Sequence, residues 1–123
     1  MLIDLSAHIS RNGTEFTEKA SKALKSSLFS RPDHLAASSY YKRAADCYKA
    51  MGKPREEGSA RVNGGDCEMK NEHYSIAGSE FNKAGDCYSE EEEWQKAADC
   101  FEKSAQAWNL QNVRLFFWLD IFC

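Results

Sequence analysis

The sequence predicts an all-α protein built as a solenoid of helical hairpins, and three observations predict it. Ala, Lys, Glu and Ser are plentiful, β-branched residues are few, and only two prolines occur in 123 residues, a composition that favours helix over strand. The chain repeats itself: an Asp-Cys pair recurs at 46–47, 66–67, 86–87 and 99–100. Around three of these pairs, small and aromatic residues return at helical spacing.

The repeat is clearest when the chain is shifted against itself. A shift of 40 residues lays "ASSYYKRAADCY" (37–48) on "AGSEFNKAGDCY" (77–88), so that Tyr41 meets Phe81, Arg43 meets Lys83 and the Asp-Cys-Tyr endings coincide. A further shift of 20 brings "AADCFEKSAQAW" (97–108) into register, and "EGSARVNGGDCE" (57–68) fills the remaining slot through Gly65, Asp66 and Cys67. The unit is a helix of about 20 residues with its turn, and two units make one hairpin. On a wheel centred on Tyr41, residues Ala37, Ala44, Ala45 and Tyr48 fall within about 60°, while Arg43 points to solvent. Small residues let two helix backbones approach, and the aromatic fills the gap between them.

Helices are expected near 14–26, 33–51, 55–71, 74–89 and 92–108, giving an N-terminal segment at 1–13, a repeat domain at 14–111 and an apolar tail at 112–123. The first helix follows the polar opening "MLIDLSAHIS", which lacks the basic region of a signal peptide. The second is opened by Pro32-Asp33, with Asp33 as N-cap, and closed by Gly52 before Lys53-Pro54. The third and fourth follow from the register of the repeat. The fifth is expected to begin with Ser89 as N-cap and Glu90–Glu93 as anions at its positive end. In the tail "NVRLFFWLDIFC", eight of the last nine residues are apolar, which fits neither the repeat nor the roughly 20 residues of a membrane span. It reads as non-native sequence after a truncation, as a capping helix, or as a patch for self-association.

Charge and cysteine exclude several functions. Sixteen basic against 19 acidic residues leave a net charge of −3, without the basic excess of a nucleic-acid binder. The histidines His8, His34 and His73 bear no repeat relation to a nucleophile, and "NGGDC" lacks the form of a phosphate loop, so no catalytic residue and no cofactor is expected. Cys47, Cys67 and Cys87 suggest zinc, but each lies on its own helix. With neighbouring axes 8–10 Å apart, the first and third thiols stand roughly 16–20 Å from each other, too far for one ion. The pairs instead mark a semi-buried helix edge, with each Asp of the three in-register units turned further toward water. The five cysteines, an odd count, belong to a reduced, cytoplasmic setting.

The pattern Ala-x3-Tyr/Phe-x-Lys/Arg-Ala-x3-Tyr resembles tetratricopeptide helices, without their regular Trp and Pro positions. The stretches "RPDHLAASSYYKRAADCYKAMGK" (31–53) and "AGSEFNKAGDCYSEEEEWQKAADCFEKSAQAW" (77–108) more closely resemble the soluble NSF attachment proteins, or SNAPs, and most of all the N-terminal portion of the gamma branch. The resemblance spans about residues 14–110 and implies a right-handed, tetratricopeptide-like array of antiparallel hairpins. It also implies an adaptor rather than an enzyme, one that binds SNARE bundles, touches membranes peripherally and recruits the ATPase NSF. The family's C-terminal helices, which contact NSF, are not matched here.

The resemblance points to particular residues. A family loop between the first two helices touches lipid, and its counterpart is "KSSLFSRP" (25–32), where Leu28 and Phe29 sit among Lys22, Lys25 and Arg31. Two such side chains contribute roughly 3–5 kcal/mol at most when buried in an interface, and the basic neighbours favour an anionic surface. The competing reading folds both back into the core. SNARE bundles are acidic, so Lys42, Arg43, Lys49, Arg61, Lys83 and Lys103 are the expected cations of the partner face, with ordinary solvated helix charges as the competing reading. The functional alternative is a generic tetratricopeptide-like scaffold of co-chaperone type, whose groove would hold a peptide with Asn and Lys gripping a terminal carboxylate.

Overall fold

The computed structural model describes residues 2–25 and 31–122, with side-chain environments for 12–25 and 31–121. Its described elements are five helices: α1 (Leu2–Leu24), α2 (His34–Ala50), α3 (Pro54–Lys70), α4 (Tyr74–Glu90) and α5 (Trp94–Phe122). Each packs chiefly on the helix next to it in sequence, so the array is built from one interface repeated along the chain.

The turns show why the beat is 20 residues long. Gly52, Glu72 and Glu92 have φ of 67°, 61° and 57°, one left-handed residue closing each helix. After each, the next amide returns to the last turn: Lys53 N to Tyr48 O, His73 N to Glu68 O and Glu93 N to Tyr88 O, at 2.9–3.0 Å. This satisfies helix carbonyls that otherwise lack a partner. Asp33 caps α2 as expected, its Oδ1 accepting from Ala36 N at 2.9 Å, and Pro54 opens α3 at a position that needs no amide donor.

Aromatic rings seated on glycines hold the helices together. A Cβ built on Gly65 would lie 2.6 Å from the Phe81 ring, one on Gly85 the same distance from Phe101, and one on Gly78 the same from Trp108. Gly58 faces Tyr88 at 3.2 Å and Gly64 faces Tyr41 at 3.3 Å. The glycines let α3 and α4 come close enough for the rings to fill the space, which compensates for their poor helix propensity. Ala37, Ala44, Ala45, Ala77 and Ala84 are fully buried around Tyr41 and Phe81, as the wheel predicts. Burying a ring such as Phe81, 1% exposed, contributes about 1.5–3 kcal/mol.

Three features differ from expectation. Helix α1 begins at Leu2 rather than near residue 14, and it runs through Gly13, whose missing side chain makes room for Tyr48, 3.1 Å from where a Cβ would stand. Ser89 is not an N-cap, since α4 continues through Glu90 and the Ser89 hydroxyl donates to Gly85 O at 2.9 Å. Helix α5 does not stop near 108 but continues to Phe122, across the expected boundary at 111/112. No glycine or proline follows Gly85 to end it.

Candidate protein-docking face

An open groove of about 440 Å³ runs between α2 and α4, with α3 as its floor. Leu35, Ser38, Ser39 and Lys42 form one wall, Ile76 and Glu80 the other, and Ala60, Gly64 and Glu68 lie beneath. The spacing 35, 38/39, 42 is one stripe of a helix, and Gly64 keeps the floor deep because nothing projects from it. Leu35 and Ile76 remain 61% and 50% exposed, facing each other across an unfilled cleft.

An ion network lies under this groove. Arg61, 5% exposed, donates from Nε to Glu57 Oε2 at 2.7 Å and from Nη1 to Glu80 Oε2 at 3.0 Å. Its Nη2 is 3.9 Å from the exposed carboxylate of Asp46, so one guanidinium joins α2, α3 and α4. Burial works against the Arg61 charge, but the hydrogen bonds it donates to Glu57 and Glu80 outweigh it and hold its pKa above the ordinary arginine value. Cys87 belongs to the same cluster: burial first, then the negative charge of the nearby Glu57 carboxylate, pushes its thiol up to about 12.

The expected basic set divides. Arg61 is corrected: it is not a surface cation but a buried one, fully engaged by two carboxylates. Lys42 is exposed on the groove wall, and Lys83 stands 3.8 Å from Glu80 Oε1, half exposed, beside the same wall. Arg43 is exposed on the other side of α2, its guanidinium 5.9 Å from the centre of the Phe16 ring of α1. Lys49 is exposed at the end of α2. Lys103 bridges α5 to α3, 3.1 Å from Asp66 and 5.3 Å above the Phe81 ring. The structure therefore places Lys42 on the α2 wall of the groove and Lys83 beside Glu80 on α4, and Arg43, Lys49 and Lys103 elsewhere. Leu28 and Phe29 lie outside the described residues.

Glu57 and Glu80 were not anticipated as part of any site. The signal for them was present: Glu57 and Arg61 are four residues apart, and Glu80 occupies the repeat position of Tyr40. The first helix pair there carries a stack of Phe16 on Tyr40, 6.4 Å between centroids, whereas the second carries the ion network. The thiols lie deeper than the semi-buried edge expected of them: Cys67, Cys87 and Cys100 are buried and only Cys47 is half-buried, while Asp46, Asp66 and Asp86 are exposed as expected. Among the described residues, no group of His, Cys, Asp and Glu is placed to hold a metal ion, and no helix is long and apolar enough to cross a membrane.

Together, the repeated helix unit and the open groove define a helical-repeat module with surfaces suited to docking other proteins. Residues 11–113 match the family described as soluble NSF attachment protein, SNAP. The chain belongs to the soluble NSF attachment protein family. At the level of that family it is a SNARE- and NSF-related trafficking adaptor, and the family is not enzymatic. No individual curated protein matches the chain.

Proposed function

We propose that this chain binds assembled SNARE bundles through the cations of its helical array and presents them to an NSF-type ATPase for disassembly. The observation that carries the reading is the family match over residues 11–113. Lys42 and Lys83 beside the groove, with Arg43 and Lys49 exposed on α2, supply positive charge suited to an acidic bundle. The contacts Phe81–Gly65 and Tyr88–Gly58, repeated as Phe101–Gly85 and Trp108–Gly78, support antiparallel hairpins, in which moving up one helix moves down the next. A right-handed solenoid, the gamma branch and an N-terminal portion of a longer family member complete the reading. So do a repeat domain at 14–111, a tail at 112–123, a peripheral membrane contact through Leu28 and Phe29, and a cytoplasmic location.

The test is capture of a preassembled SNARE bundle by the wild-type chain and by Lys42→Glu/Lys83→Glu. The double reversal is expected to weaken capture at least about fivefold at low salt, with the difference shrinking at high salt; equal capture would remove the groove from the partner face. Replacing Leu28 and Phe29 with Ser checks the membrane contact, with liposome co-sedimentation expected to fall. The co-chaperone alternative finds no Asn beside Lys42 in this groove; Asn63 and Lys70 do line a smaller pocket of about 180 Å³, but Asp66 lines it too and would repel a terminal carboxylate.

A further inference from the structure

The groove between α2 and α4 has an order along its length. Cys67 of α3 clusters with Ala37 and Tyr41 of α2, and Ala60 with Ala44 and Ala45. On the other side, the Phe81 ring of α4 is seated against Gly65. Leu35, Ile76 and Glu68 therefore share one end of the groove, and Lys42 stands toward Ala60 at the other, with Glu80 between them. Leu35 and Lys42 are seven residues apart, so the two ends are separated by about 10 Å.

The three charges in the lining are not answered alike. Glu80 is held by the buried Arg61 at 3.0 Å, and Lys42 is exposed at its end of the wall. Glu68 is 13% exposed and lies 2.7 Å from His73 Nδ1, its one ion-pair partner among the described residues. An imidazole N–H satisfies one carboxylate oxygen without the permanent charge of a lysine or arginine. A carboxylate accepts through both oxygens, so Glu68 can take a second donor from the open side. This anion sits at the same end of the groove as Leu35 and Ile76, two apolar side chains 61% and 50% exposed.

Charge complementarity selects the occupant. An acidic segment would set like charge against Glu68, and a purely apolar one would bury that carboxylate without a cation. We infer that the groove binds a segment of a partner protein in which one basic side chain is flanked by apolar ones. The basic group meets Glu68, the apolar groups cover Leu35 and Ile76, and the long stem of Arg or Lys adds to the apolar contact. An acidic residue about 10 Å further along the segment suits Lys42. The inference does not rest on the capture of SNARE bundles, and the two can succeed or fail separately.

The test titrates the isotope-labelled full chain with the peptide acetyl-Ala-Leu-Arg-Leu-Ala-amide, up to about 10 mM, and follows backbone amides by NMR. Two counterparts carry norleucine or Glu in place of Arg. The Arg peptide is expected to shift the amides around Leu35, Glu68 and Ile76 and to bind at least about tenfold tighter than the norleucine peptide. In Glu68→Gln, which keeps the size of the side chain and an acceptor for His73, that advantage should fall below about twofold with helical circular dichroism unchanged. No binding of the Arg peptide overturns the inference, as does norleucine or Glu binding as well as Arg. An advantage for Arg that survives Glu68→Gln overturns it too, because the cation is then recognised elsewhere.

Discussion

Replacing Arg61 with Met tests whether the ion network holds three helices together or merely occupies space. In the wild type the guanidinium, 5% exposed, is shared by Glu57 and Glu80, whose side chains are each 11% exposed. Met fills much of the same volume but leaves Glu57 with no cation and Glu80 with only the half-exposed Lys83, 3.8 Å away. Breaking a buried pair by removing one partner costs about 3–5 kcal/mol, largely because the remaining charge is stranded. At on the order of 4 °C per kcal/mol for a chain of this size, the melting temperature should fall by about 12–20 °C. Replacing all three residues, as Arg61→Met/Glu57→Gln/Glu80→Gln, removes the stranded charge and should recover most of the loss. Asp46→Ala serves as a control: that carboxylate is 3.9 Å away and 64% exposed, so its removal should cost less than about 1 kcal/mol. Thermal unfolding followed by circular dichroism reads all three. A fall below about 4 °C for Arg61→Met would show that the network behaves like an ordinary surface ion pair.

Three further predictions concern packing, turns and thiols. Gly65→Ala should destabilise the fold by about 1–2 kcal/mol in urea titration, because overpacking against the fixed Phe81 ring exceeds the gain in helix propensity. Gly78→Ala meets the half-exposed ring of Trp108, which can shift, and should be close to neutral. Glu72→Gly and Glu92→Gly each relieve a left-handed residue and should raise stability by up to about 1 kcal/mol, while the same change at exposed helical Glu102 should lower it. Burial pushes Cys67 up to about 11, helped by Asp66 and Glu68, and Cys87 up to about 12, helped by Glu57. At pH 8 both should alkylate far more slowly than half-buried Cys47. A thiol with a folded pKa above its unfolded value contributes stability that is full below the unfolded pKa. That contribution should be lost between about pH 9 and 12, and Cys87→Ala should flatten the decline.

Residues that interact along one helix, or that repeat at 20, were legible in the sequence. The buried Ala37, Ala44 and Ala45, the exposed Asp residues and the Asp33 cap all follow from a wheel and a register. What was not legible depends on the residue across the interface. Arg61 occupies an unremarkable position on its own helix, and only Glu80, 19 residues away, turns it inward. Gly13 gives no sign on its own of the Tyr48 ring it makes room for, and Ser89 looks like a cap although the turn follows at Glu92. The length of α5 escapes the repeat, which predicts a turn that the residues after Trp108 do not contain.

Because each helix rests mainly on its immediate neighbours in sequence, few of the contacts that define the fold require distant parts of the chain to find one another. The entropy of closing large loops is therefore largely avoided, and proteins of such low contact order fold on the order of microseconds to milliseconds. Stability in such an array is approximately a sum of unit and interface terms, so it is distributed unevenly along the chain. Helix α3, gripped on both sides and pinned by Arg61, is the natural place for structure to begin. The ends of the array, each supported from one side, open first and exchange their amides fastest.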